Sequence, residues 1–452
     1  MRPRLAIYVS KPNAIYALAL AFALLAPALK AHAQAGAASA LLELSAEGAV
    51  ALALSQGGEL YVQAYATSAA RRDAENAWNA FLPSFTLSAQ ARLSDELFFP
   101  LPPKPGDTGP LSTTLSAGVQ LSLGSATPFD IKKRDDDLRS AQLREDEAKA
   151  RLAIAVEKAY WSIVAMEQDV SNKDRALGLA VDRLRAAARR YELGLGSELD
   201  RLRAELSAET ARAALAQARA DQNKRLAAFK RQLGLPSNVA LSLSGRLDVR
   251  PIALRAPEAP ALERRYDIAR LSLGVSAAEA QRLRSLATVK APSLELSAAW
   301  SYSMAELDAS TQRDSYALSA GLRFNVDSWI PGSSRDLSYK RLLDDVVKLN
   351  LDLRAALRQA EDEIAGLKAD LELALASAAN AERQLFLSER IRDRTRELYE
   401  RGGATLLELE DAEYALEGAQ QVLLSRRYQL IGLFLDLGYA LNLPWRSLAV
   451  FD

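Results

Sequence analysis

Four stretches of the chain alternate apolar and polar residues at every second position. In the first, Phe85, Leu87, Ala89, Ala91 and Leu93 alternate with Thr86, Ser88, Gln90, Arg92 and Ser94. The second sets Leu115, Ala117, Val119, Leu121 and Leu123 against Ser116, Gly118, Gln120 and Ser122. The third carries Leu294, Leu296, Ala298, Trp300 and Tyr302, and the fourth Tyr316, Leu318, Ala320, Leu322, Phe324 and Val326. Period two predicts strands over about 84–94, 112–124, 292–304 and 315–327. Each run has about ten residues, the length a tilted strand needs to cross a bilayer. Small polar residues on one face suit a wet lumen, and larger apolar ones on the other suit lipid. The same alternation also suits the half-buried sheet of a soluble sandwich.

Elsewhere the period is helical. No Pro interrupts the chain from about Asp130 to Tyr191. Leu152, Val156, Ala159, Ile163, Met166 and Val170 recur at steps of four and three, a coiled-coil seam. Leu177, Val181, Leu184, Ala188 and Tyr191 continue it after a shift, and Val346 to Leu385 carries a second seam. About sixty residues at 1.5 Å each predict rods of roughly 90 Å. Such rods need neighbours along their whole length. Their charges are read as solvated faces.

The chain repeats itself. Tyr191-Glu192-Leu193-Gly194 resembles Tyr399-Glu400-Arg401-Gly402, and Leu235-Pro236 matches Leu443-Pro444, both at an offset of 208 positions. Pro83-Ser84-Phe85 likewise resembles Pro292-Ser293-Leu294. Each half reads helix, two strands, long helix, tight turn, helix. A first repeat is therefore assigned to 34–235 with a tip hairpin at 193–200, and a second to 263–445 with a tip hairpin at 401–408. Residues 236–262 form a linker or equatorial segment, and 446–452 a C-terminal tail. The first 33 residues have the layout of a cleaved secretory signal peptide: Arg2, Arg4 and Lys11, an apolar run from Ala14 to Leu29, then Ala31-His32-Ala33.

Composition narrows the chemistry. The 452 residues carry 57 Lys+Arg and 57 Asp+Glu, so net charge gives no reason to expect nucleic acid as a partner. There is no Cys, and His32, the sole His, falls in the expected leader. Thiol and imidazole chemistry, zinc sites and disulfides are thereby excluded from the mature chain. A carboxylate-only enzyme remains conceivable, but no paired carboxylates stand out. The expectation is a non-enzyme without cofactor or metal. Four strands are too few to close a membrane barrel, and open edges are not tolerated in lipid. If the strands are in a membrane, several copies must share one barrel. Phe98, Phe99, Trp300, Tyr302 and Trp329 are then candidate membrane-interface aromatics.

This architecture resembles the TolC-like outer-membrane efflux proteins over nearly all of the mature chain. Leu82-Pro83-Ser84-Phe85 at the strand entry, Arg265-Tyr266-Asp267-Ile268 before the third strand, and the turns Gly194 to Asp200 and Gly402 to Glu408 carry the resemblance. It implies a mostly α fold with membrane β: a homotrimer whose twelve-stranded β-barrel in the outer membrane is continuous with a periplasmic α-helical barrel. The implied function is a passive exit channel of a tripartite efflux or type I secretion system, with a periplasmic adaptor and an inner-membrane pump as partners. A periplasmic coiled-coil adaptor or scaffold without a pore is the alternative. By resemblance the adaptor docks at the tips, at Leu193, Gly194, Leu195 and Ser197 and at Gly402, Gly403 and Thr405. From the residues alone, Gly194 and Gly402 are helix C-terminal glycines, Ser197 and Thr405 helix caps, and a plain hairpin accounts for both. The resemblance also places a periplasmic gate at Glu408 and Asp411, closed with help from a Tyr399–Asp200 pair. Three copies of each acid about one axis would repel and raise their own pKa values. Ala404 stands where the family pattern has a gate arginine, and Arg401 is the nearest substitute.

Overall fold

The computed structural model describes residues 42–93, 111–245, 247, 251–255, 257, 261–305, 313–323 and 330–451. The expected leader, and Phe98, Phe99 and Trp329, lie outside the described residues.

Two rods dominate. Helix α3 (Thr127–Glu192) has 66 residues and α6 (Ser334–Glu400) has 67. At 1.5 Å per residue each is about 100 Å long. Each folds back at a tight turn into a helix half its length, α4 (Glu198–Gln232) and α7 (Leu406–Leu441). Shorter helices run beside their upper halves: α1 (Ala46–Gln56) and α2 (Gly58–Glu75) along α3, and α5 (Tyr266–Lys290) along both α3 and α6. Charge helps fix that packing, since buried Glu147 of α3 binds Arg270 of α5 at 3.0 Å. The two hairpins meet through α3 and α7, leaving α4 and α6 as the outer rods. Among the described residues no helix is long and apolar enough to cross a membrane.

At one end stands an antiparallel sheet of four strands: β2 (Ser84–Leu93), β3 (Leu111–Leu123), β6 (Ser293–Ala305) and β7 (Arg313–Arg323), in the order β2-β3-β6-β7. The two halves of the chain meet at the β3–β6 pair, in which Ser116 faces Ser301.

The apolar core sits where the short helices end. It joins Val156, Tyr160 and Ile163 of α3, Phe229 and Leu233 at the end of α4, Ile364 and Leu371 of α6, and Ile431, Phe434 and Leu437 of α7. Two small sheets close it. Strand β1 (Leu42–Leu44) runs parallel to β4 (Leu241–Leu243), and β5 (Pro251–Leu254) antiparallel to β8 (Ala449–Phe451). The segment that reads as a tail in the sequence is thus stitched into the core by strand pairing. Gly245 lies against this core, where an added Cβ would stand 2.8 Å from the Tyr160 hydroxyl.

Candidate functional site

The sheet separates its residues cleanly by face. Across all four strands Ser88, Ser116, Ser301 and Ser315 fall in one row. Ser84, Gln120, Ser297 and Ser319 form another. The hydroxyls pair within these rows: Ser88 with Ser116 at 2.7 Å, and Ser297 with Ser319 and Ser301 with Ser315 at 2.6 Å. Toward the helical end of this face Glu295 and Arg323 form an ion pair at 3.0 Å. The opposite face carries Phe85, Leu87, Val119, Leu296, Leu318 and Leu322, and Leu318 is 88% exposed. Trp300 and Tyr302 share this face. Trp300 stands beside Tyr316 near the middle of β6, and Tyr302 closer to the loop end. Strands β2 and β7 have no outer partner among the described residues.

At the other end of the molecule the two tips are built alike. After α3, Gly194 takes φ +71°, and the Leu195 amide reaches back to the Arg190 carbonyl at 2.8 Å. After α6, Gly402 takes φ +79°, and the Gly403 amide reaches the Leu398 carbonyl at 2.8 Å. Only glycine adopts this left-handed turn without strain, and the bond satisfies a carbonyl that the helix end leaves free. Ser197 and Thr405 then cap α4 and α7. Leu193 and Leu195 are both 71% exposed.

The candidate gate acids are engaged by these caps. Glu408 closes a capping box: its carboxylate accepts from the Thr405 amide at 2.7 Å and the Thr405 hydroxyl at 3.0 Å, and its own amide donates to that hydroxyl. The Thr405 amide, then the hydroxyl, hold the Glu408 carboxyl below the usual glutamate range. Within one chain this is the opposite direction to that expected from a ring of three. Asp200 occupies the equivalent place on α4, bonded to Ser197 at 2.7 Å. Asp411 is exposed. The structure does not join Tyr399 to Asp200. The Tyr399 hydroxyl instead accepts from Arg190 of α3 at 3.3 Å, with the guanidinium 6.0 Å from the ring centroid. Arg190, unmarked in the sequence, is therefore the arginine that bridges the two tips. Arg401 sits exposed at the α6 C-cap.

Residues 49–235 match the family model described as outer membrane efflux protein. No curated protein matches the chain in sequence. Among solved structures, the outer membrane protein VceC from Vibrio cholerae is 18% identical, with 88% of this chain and 96% of that one covered and a TM-score of 0.70. The Campylobacter jejuni CmeC outer membrane channel is 14% identical, covering 88% and 85%, with a TM-score of 0.71. The open Neisseria gonorrhoeae MtrE outer membrane channel is 18% identical, covering 88% and 89%, with a TM-score of 0.70. At such identities the likeness is one of fold, and it takes in the second repeat that the family model does not reach. Residues 49–235 thus resemble the outer membrane efflux protein family, and the chain as a whole shares the fold of these outer-membrane channels.

Proposed function

We propose that the chain is a passive exit duct of the outer membrane. In this assembly three copies close one twelve-stranded barrel, and their rods continue it as a periplasmic tube. The observation that carries the proposal is the sheet: one face apolar and exposed, the other lined by hydroxyls, both edges unpaired among the described residues. In water such a sheet exposes apolar area and strand edges at once, which invites aggregation. In lipid, edge β2 of one copy pairs with edge β7 of the next, and every backbone group is satisfied. The outer rods support the same assembly. Helix α6 leaves Leu373, Phe386, Leu387 and Ile391 exposed, and α4 leaves Leu202 and Leu206.

In the proposed cycle the protein performs no covalent chemistry. Cargo enters at the tips, where Glu408 and Asp411 line the entrance, and leaves through the barrel. The exposed Leu193 and Leu195 at the first tip, with Ser197, and the Gly402-Gly403 turn with Thr405 at the second, are the surface for a periplasmic adaptor that couples the duct to an inner-membrane pump. A pore-less periplasmic scaffold is the competing reading. The test is the full chain expressed with its own leader. A membrane-bound protein whose detergent mass corresponds to three copies, and which conducts ions in planar bilayers, supports the duct. A water-soluble monomer without conductance refutes it.

A further inference from the structure

Apart from the Arg190–Tyr399 contact at the tips, the two hairpins pack mainly along one seam, α3 against α7. Around Tyr160 and Phe434 that seam is apolar and fully buried. Close behind the tips, beside buried Leu409 and Ala412, it also carries charge. There α7 turns Glu410 and Glu413, one helical turn apart, toward Arg183 of α3, and all three side chains are less than one-fifth exposed. The Arg183 guanidinium contacts the Glu413 carboxylate directly and stands 3.9 Å from Glu410. Glu410 is 8% exposed, and its Oε1 is buried with no hydrogen-bond donor. A buried and a partly buried carboxylate thus share one guanidinium from across the seam.

Among the described residues, the other nearby cations are engaged elsewhere. From α6, Arg392 and Arg396 approach Glu413, but Arg392 lies 2.9 Å from Asp393 and Arg396 3.2 Å from Glu400. The adjoining cavity of about 490 Å³ has Lys173 and Arg175 on its α3 wall, and Glu389 and Glu417 among the walls of α6 and α7, with Tyr414 beside them. Helix α4 contributes Ser207 and Thr210 to that wall and no charged group. The cavity gives water and protons a route to the cluster.

We propose that Arg183, Glu410 and Glu413 form a proton-operated clasp between the two hairpins: proton uptake tightens the seam behind the tips, and proton release loosens it. The geometry sets the direction. A buried carboxylate oxygen without a donor is costly, and a proton on the pair removes one of the two crowded charges. Burial accordingly pushes the Glu413 carboxyl above its ordinary value of 4.5, with Glu410 adding to the rise and Arg183, Arg392 and Arg396 opposing it. Parting the hairpins returns Glu413 to water and to its ordinary value. The closed seam therefore binds a proton more tightly than the parted one. By linkage, this contribution to closure is full below the ordinary carboxyl value and is lost as pH rises through the raised value.

The clasp rests on the duct proposal, because its readout is the opening of the tips. Conductance of the full trimer is recorded as the pH is lowered stepwise from neutrality toward the ordinary carboxyl range. The expected result is a reversible fall in conductance as pH falls. Glu413→Gln, a permanently neutral isostere, is expected to remain in the low-conductance condition and lose the pH dependence. Arg183→Met removes the guanidinium that opposes the rise, so its midpoint is expected to move up by about one pH unit or more. The profile must persist with Glu408→Gln and Asp411→Asn installed, which separates the clasp from titration at the entrance. A wild-type profile that is flat, or that Glu413→Gln leaves unchanged, overturns the clasp and leaves the duct standing. A trimer that conducts at no pH overturns the duct. Amide exchange across residues 409–414, corrected for intrinsic rates, then still tests the seam: protection that does not rise at the lower pH overturns the clasp by itself.

Discussion

Leu318 offers the sharpest test of where the sheet resides. It stands at the centre of β7, opposite Ala298, on the apolar face. Eleven residues at about 3.4 Å each, tilted about 45°, span roughly 26 Å. In the proposed barrel Leu318 therefore faces the middle of the bilayer, where an arginine costs about 2–4 kcal/mol. That is a roughly 30- to 1,000-fold loss in the folded-to-unfolded ratio. On a sheet facing water the same change, at a side chain that is 88% exposed, would shift stability by no more than about 0.5 kcal/mol. Ser319, the next residue, points to the hydroxyl face and bonds Ser297 at 2.6 Å. Ser319→Arg loses that bond, about 1 kcal/mol, and places its charge in the lumen. The assay is refolding of the full chain from urea into lipid vesicles, with the unfolding midpoint read from tryptophan fluorescence. Leu318→Arg should fall well below Ser319→Arg. If the two tolerate arginine equally, the apolar face does not meet lipid and the barrel is wrong.

Three further outcomes are expected. Glu408→Gln with Asp411→Asn should lower cation selectivity, read as a smaller reversal potential in a salt gradient; an unchanged potential removes the gate assignment. Thr405→Ala deletes the α7 cap at a cost of about 1 kcal/mol, so amides 406–409 should exchange about five times faster. The carboxylate half of that cap is intact at neutral pH and is lost only as pH falls through the lowered Glu408 value. Gly402→Ala forces a side chain to φ +79° and should cost about 1–2 kcal/mol. Gly403→Ala, whose added Cβ meets only ordinary contacts at 3.6 Å, should be nearly silent in the same thermal unfolding measurement.

The elements that the sequence reveals are those with a long local period. Alternation through Leu87 or Leu318 marks a strand because neighbours two apart share a face, and α3 is legible because no Pro breaks it. Strands β1 and β8, three residues each, are too short to show a period, and their partners lie about two hundred positions away. The bond from Arg190 to Tyr399 depends on the phase of two helices after more than sixty residues. A drift of about 20° per heptad is enough to lose that face. Glu410 and Glu413 read as a solvated helix face because their partner, Arg183, lies on another helix more than two hundred positions away. The capping box does carry a local signal, a Thr followed three residues later by Glu before an apolar run. Thr405 and Glu408 stand out separately in the sequence, one as cap and one as gate, and only the geometry of the turn shows that they bond each other.

Burial along the rods explains why the tips are the part suited to move. On α3 the buried run Tyr160–Val164 is followed only by Ala180, and none follows to Glu192. On α6 no residue after Ala381 is buried, a length of about 28 Å up to Glu400. Behind the tips the short helices bury mainly small side chains, Ala204 and Ala208 on α4 and Leu409 and Ala412 on α7, and the caps, the Arg190–Tyr399 contact and the charged seam at Arg183 add to them. The exposed caps and the Arg190–Tyr399 contact contribute about 1 kcal/mol or less apiece, and the small side chains buried there remove little apolar area, whereas burying one large apolar side chain such as Phe434 contributes several times that. Local opening takes the path of lowest cost. The hairpins can therefore part at their ends while the core around Phe434 stays closed, and that core fixes the pivot from which the ends swing.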